Sequence, residues 1–195
     1  SLWDASTALF AIYGGTSFGA LKLRFGGNLA YSDVDSSRVV VVGAVTERPT
    51  ASYDGWSGGF FGEAGLALPL GPVAFEPYAQ LAWSGVEMGS FSEAGAPVTG
   101  LSSSGLSFDT WYTTLGLRAA GSLMLGGVAT LPHASIGWRH AYGDLTPAMA
   151  MTYLNTGTSF TTQGLPIAED SVVLGAGLDA VSYTHLRAHE TSTYI

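Results

Sequence analysis

A chain of 195 residues is the size of one domain, but 47% hydrophobic side chains stand beside only 11% charged ones, against roughly 25% charged in an ordinary soluble domain. A net charge of -8 with a single lysine, Lys22, argues against a nucleic-acid partner, which would need a clustered basic surface. No uninterrupted apolar run reaches the about 18 residues of a membrane helix, so the hydrophobicity must be spread over strands in which every second position is apolar.

Period-two alternation recurs along the chain. Residues 21–31 give Leu21, Leu23, Phe25, Leu29 and Tyr31 against Lys22, Arg24 and Asn28. Residues 62–70 give Ala64, Leu66, Leu68 and Leu70 against Glu63. Residues 73–85 oppose Val73, Phe75, Pro77, Ala79, Leu81 and Trp83 to Ala74, Glu76, Tyr78, Gln80, Ala82 and Ser84. In 111–125 the apolar set is Trp111, Leu115, Leu117, Ala119, Leu123 and Leu125, with Thr113 among them, facing away from Tyr112, Thr114, Arg118 and Ser122. Residues 128–142 set Val128, Ala134, Ile136, Trp138 and Tyr142 against His133, Ser135 and Arg139. A helix would scatter these polar residues around its surface, so strands are the economical reading.

Several segments reach the about 9–11 residues that a tilted strand needs to cross a bilayer. Short turns are expected at Gly14-Gly15-Thr16-Ser17, Gly71-Pro72 and Gly126-Gly127, with a somewhat longer connection over 164–170. Long irregular stretches are expected over 33–57, 87–109 and 143–157. Short turns alternating with long loops are the rhythm of an outer-membrane barrel, and aromatics at strand ends (Tyr31, Trp56, Trp111, Tyr142) fit an interfacial girdle. The expected fold is all-β: an antiparallel up-and-down transmembrane β-barrel of about eight strands.

Residues 182–195 break with this pattern. The stretch 182–191 resembles the translation of a transposase sequencing adapter, and Val181 matches the valine codon upstream of it. The expected organisation is therefore a barrel domain over 1–181 and a non-native tail over 182–195. Absence of cysteine suits a chain exported in extended form. The opening Ser1-Leu2-Trp3-Asp4 is not a signal peptide, so a true N-terminus is expected upstream.

In order along the chain stand Tyr13-Gly14-Gly15, Leu29-Ala30-Tyr31-Ser32-Asp33-Val34-Asp35, Glu76-Pro77-Tyr78-Ala79-Gln80-Leu81-Ala82-Trp83 and Leu115-Gly116-Leu117-Arg118. They are followed by Gly137-Trp138-Arg139-His140-Ala141-Tyr142-Gly143-Asp144, Ser159-Phe160-Thr161, Gly164-Leu165-Pro166 and Leu174-Gly175-Ala176-Gly177-Leu178. Each piece is weak alone, but in this order they resemble the C-terminal translocator β-barrel of the autotransporters. The resemblance implies a barrel of about twelve strands, of which this chain would carry roughly the third to the tenth. It also implies a bacterial outer-membrane location, an upstream passenger with a linker helix in the pore, and the barrel assembly machinery as partner. A barrel lacking strands would leave open edges that lipid does not tolerate.

The polar register defines candidate lumen-facing residues: Lys22, Arg24, Asn28, Glu63, Glu76, Gln80, Arg118 and Arg139. A basic residue on the lipid side would cost about 2–4 kcal/mol at the membrane midplane, and all four basic residues avoid it. Gly15-Thr16-Ser17-Phe18-Gly19 satisfies a nucleophile-elbow pattern, but the strand after it denies the required helix. His133, His140 and Asp144 lack tight ligand spacing, with the two histidines on opposite faces. The expected function is anchoring and export of a passenger, without catalytic residues, cofactor or metal; the alternative is a free-standing porin or adhesin-type barrel.

Overall fold

A computed structural model describes residues 2–125 and 128–181. Within them the chain is all-β, and no helix is long and apolar enough to cross a membrane. The main sheet contains β1 (Leu2–Phe18), β2 (Leu21–Ser37), β5 (Thr50–Leu66), β7 (Val73–Met88), β10 (Leu106–Gly121), β12 (Val128–Gly143) and β15 (Asp170–Val181). Each pairs antiparallel with the next, in an up-and-down order. β6 (Leu68–Leu70) prolongs β5 past Ala67, and β11 (Leu123–Leu125) prolongs β10 past Ser122. The result is a curled half-barrel, an incomplete antiparallel β-barrel close to the strand number read from the sequence.

The registers put one set of side chains on each face. One face carries Leu21–Tyr31, Trp56–Leu66, Val73–Trp83 and Trp111–Gly121 at alternate positions, each band about 11 residues long and free of charged side chains, which matches a tilted membrane crossing. Its large side chains are exposed, among them Phe25 at 54%, Leu115 at 54% and Ile136 at 55%. The other face buries Glu63 and Glu76. Apolar groups out and charges in is the inverse of a water-soluble sheet, and it is what hydrocarbon around the sheet requires.

At the end away from the short turns, the apolar face is crowded with aromatics. Tyr31 lies against Trp56 (4.7 Å between ring centroids), and Phe60 stacks on Trp83 and meets Trp111 edge-on. Trp111 and Tyr142 are cross-strand partners. Just past this belt the same face turns acidic at Asp33, Asp54, Glu87 and Asp109, where strands of 16 or 17 residues, about 55 Å long at 3.3 Å per residue, leave the bilayer.

Two expectations are corrected. Gly14-Gly15-Thr16-Ser17 is not a turn; it lies inside β1, and the chain reverses at Gly19-Ala20, where Gly19 takes φ 60°. Its glycines are there for close approach, since a Cβ at Gly14 would lie 2.9 Å from the Phe25 ring. The long irregular stretches are also shorter than expected: β2 runs to Ser37, β5 begins at Thr50, β7 runs to Met88 and β10 begins at Leu106. Polar side chains there mark the change from lipid to water, while the backbone ladder continues unchanged. The expected turn at Gly71-Pro72 is present, with Gly71 at φ 65°; that at Gly126-Gly127, and the tail 182–195, lie outside the described residues.

The connections that remain are themselves structured. The first holds the hairpin β3 (Val40–Val42) and β4 (Val45–Glu47). The second holds β8 (Phe91–Ser92) and β9 (Leu101–Ser103), and the third holds β13 (Ala148–Tyr153) and β14 (Ser159–Gln163). β8, β9, β13 and β14 form one four-stranded sheet across the second and third loops.

Candidate functional site

Four neighbouring strands deliver charged side chains to one level of the polar face, three residues in from the short-turn end. Arg24 on β2 is the cross-strand partner of Glu63 on β5, and Glu76 on β7 is the partner of Arg118 on β10. Glu63 is also opposite Gln80. Period two fixes the face and the register fixes the level, so residues 94 positions apart in sequence converge.

The arginines lie between the carboxylates. Arg24 Nη1 donates to Glu63 Oε1 (2.7 Å) and Glu76 Oε1 (2.6 Å), and its Nη2 to Glu76 Oε2 (3.2 Å). Arg118 forks onto Glu63, Nη1 to Oε1 at 2.7 Å and Nη2 to Oε2 at 2.6 Å, and reaches Glu76 Oε1 at 3.1 Å. Gln80 Nε2 donates to Glu63 Oε2 (3.3 Å), and Lys22 Nζ lies 3.1 Å from Glu76 Oε2. Planar, bidentate Arg–carboxylate geometry is the strong form of such contacts. The Glu63 side chain is only 2% exposed, while Lys22 keeps 42%. Three cations against two carboxylates leave one positive charge over.

An aromatic floor supports the cluster. The Arg118 guanidinium lies 3.8 Å from the Tyr78 ring centroid, a cation–π distance. Tyr78 in turn covers glycines on the next two strands: a Cβ at Gly116 would lie 2.6 Å from its ring, and one at Gly137 would lie 3.0 Å from its hydroxyl. Those glycines leave the space into which the tyrosine lies flat.

Six of the eight sequence-selected residues therefore meet: Lys22, Arg24, Glu63, Glu76, Gln80 and Arg118. The other two share the face but not the cluster. Asn28 lies further along β2, opposite Gly59. Arg139 on β12 donates to Thr114 Oγ1 at 3.3 Å and has the Tyr112 ring 5.7 Å away. Sequence reasoning missed Tyr78 as a partner of Arg118, although its place in the same alternating row as Glu76 and Gln80 was a usable signal.

The catalytic look-alikes dissolve in the fold. Gly15–Ser17 lie within β1 and a turn and strand follow, so no elbow forms. His133 lies near Asp179 on the polar face (3.5 Å), while His140 contacts Asp170 on the apolar one (2.9 Å). No group of three or more potential metal ligands occurs among the described residues.

The model of the autotransporter β-domain family matches residues 3–188, nearly the whole chain and half of the run 182–195. The chain belongs to the autotransporter β-domain family. An "Extracellular serine protease" of Serratia marcescens is 33% identical over 168 residues, which is 86% of this chain and 16% of that protein. A second protein of that name and organism is 31% identical over 179 residues, 92% of this chain and 17% of its own length. The chain thus spans about a sixth of the curated relatives it matches, in their C-terminal domain. As an autotransporter β-domain it is a translocator barrel, serving the export of a passenger, and the family inserts in the outer membrane of Gram-negative bacteria.

Proposed function

We propose that the polar face, with Lys22, Arg24, Asn28, Glu63, Glu76, Gln80, Arg118 and Arg139, lines a hydrated lumen through which the upstream passenger reaches the cell surface. The observation that carries this reading is the contrast within single strands. Glu63 and Glu76 are charged and buried on one row, whereas the alternate row is charge-free over a bilayer-sized band and leaves large apolar side chains such as Phe60, Leu66 and Leu81 exposed. Only two different solvents on the two faces make both rows favourable.

The surplus positive charge suits an acidic group on a segment held in the lumen, and a linker helix between passenger and barrel is the segment we assign to it. The barrel assembly machinery would insert the domain into the outer membrane. The relatives' names suggest that the passenger is an extracellular protein, with a serine protease as the first candidate; the barrel itself contributes anchoring and a passage. Residues 182–195 are assigned to an adapter-derived tail, which resequencing the 3′ end of the gene tests.

Cysteine labelling of the full-length protein in outer membranes tests the lumen assignment. Cysteines at positions 74, 76 and 80 should react with a water-soluble maleimide, and those at 79 and 81 should be protected by lipid. Reversal of that pattern overturns the assignment.

A further inference from the structure

The three long loops are joined to one another by contacts that an irregular surface loop does not need. Glu47, at the end of the first-loop hairpin, is 8% exposed. Its carboxylate accepts from the Val98 N–H (3.0 Å), the Thr99 N–H (2.8 Å) and the Thr99 hydroxyl (2.6 Å), all in the second loop. Arg38, where β2 leaves the main sheet, forks onto Glu93 of the second loop, Nε to Oε1 at 2.8 Å and Nη2 to Oε2 at 2.7 Å, and Nη2 also donates to the Thr99 carbonyl (3.1 Å). Glu93 Oε2 accepts the Leu101 N–H as well (2.8 Å). β9 of the second loop then pairs with β13 of the third, and the Leu154 N–H donates to the Gly100 carbonyl (2.9 Å).

This joined unit folds over the polar side of the strand ends. Tyr53, on the polar row of β5, lies against Phe91 of β8 with 5.4 Å between ring centroids. Thr50 and Ala94 exchange two backbone hydrogen bonds (3.0 and 2.8 Å). At this level the polar row is covered, with Ala51 at 9%, Thr110 at 1% and Ala141 at 3% exposure, while Trp56 and Tyr142 on the apolar row stay 47% and 45% exposed.

We infer that the three loops form a latched cap over the external mouth of the polar face, held by the Glu47 and Arg38–Glu93 contacts, and that the cap has to part for a chain to leave. The inference rests on the export reading above. On that reading, a passenger segment leaving the lumen meets a second loop that is bonded at once to the strand rim at Thr50, to the first loop and to the third. Parting the cap breaks polar contacts that water replaces, so the latch is reversible.

Cysteine locks test it in the full-length protein displayed on cells, because these 195 residues contain no competing thiol. Thr50→Cys with Ala94→Cys pins the second loop to the rim, and Ser102→Cys with Thr152→Cys, cross-strand partners, pins it to the third. Both pairs are antiparallel cross-strand neighbours, a relation that sets Cα atoms about 4.5–5.5 Å apart, within the about 4.4–6.8 Å of a disulfide. Each oxidised lock, verified by non-reducing gel mobility, should reduce surface-exposed passenger severalfold, and growth with reductant should restore it; the single-cysteine variants should export normally. A verified lock that exports as well as its single-cysteine parents overturns the cap. A double mutant that reductant does not restore also counts against it. If the unaltered full-length protein leaves its passenger off the surface, the export reading fails instead.

Discussion

Glu63→Ala is the sharpest perturbation of the ion cluster. It removes an acceptor that takes 2.7 and 2.6 Å bonds from Arg118, a 2.7 Å bond from Arg24 and a 3.3 Å bond from Gln80. Glu76 remains, so Arg24 keeps two bonds, but Arg118 keeps only the one at 3.1 Å. Deleting one member of a buried ion pair typically costs about 3–5 kcal/mol. The two arginine side chains are 27% and 35% exposed, so water recovers part of that, and the expected loss is about 2–3 kcal/mol. Glu63→Gln keeps the shape and one accepting oxygen and should lose about 1–2 kcal/mol. The assay is urea unfolding of the full-length protein refolded in lipid vesicles, read by tryptophan fluorescence from the belt that includes Trp56, Trp83 and Trp111. A double-mutant cycle with Arg118→Met should return a coupling of about 1–2 kcal/mol. An unchanged midpoint for Glu63→Ala, or a coupling within about 0.3 kcal/mol of zero, would refute the view that the cluster ties these four strands together.

Leu115→Arg, at the middle of the apolar band, should destabilise the inserted state by about 2–4 kcal/mol, whereas Gln80→Lys on the polar face should cost well under that; heat-modifiability on gels compares the two. Gly116→Ala forces a Cβ to within 2.6 Å of the Tyr78 ring and should cost about 1–3 kcal/mol by overpacking, while Gly62→Ala meets nothing within 4 Å and should be near neutral in the same assay. Hydrogen bonds from Thr99 and the Val98 amide hold the Glu47 carboxyl below its usual value of 4.5. A depressed carboxylate pKa contributes stability that is present above 4.5 and is lost as pH falls through the folded value. Amide exchange at Val98 and Thr99 should therefore accelerate on acidification below about pH 4.5 beyond the intrinsic trend, and Glu47→Gln should abolish that excess.

What was legible in the sequence was what period two encodes. Alternation assigns a face without knowledge of the partner strand, so Arg24, Glu63, Glu76 and Arg118 could be grouped before their registers were known. Their meeting at one level depends on where each hairpin reverses, and Gly14-Gly15 misled there. A glycine pair reads as a turn because glycine tolerates unusual backbone angles, yet Gly14 is extended and is small so that Phe25 can lie across it. The loops were illegible for a different reason. Arg38 and Glu93, or Glu47 and Thr99, are 55 and 52 residues apart, and no local pattern announces a pairing that only the barrel wall brings within reach.

The same geometry explains why the strands outrun the membrane. A strand ending at the aromatic belt would leave its last backbone groups at the interface with nothing but mobile loops above. Continuing the ladder from Tyr31 to Ser37 and from Trp56 back to Thr50 keeps those groups paired. It also lifts the polar row clear of the lipid, where Thr50 can bridge to Ala94 and Tyr53 can support Phe91. The acidic residues on the opposite row, Asp33 and Asp54, are cross-strand neighbours, an arrangement that repels and is tolerable only in water. Membrane thickness therefore limits the apolar row alone. The row that carries the ion cluster keeps its register from the short turns to the rim where the loops join, so one sheet face connects the two ends.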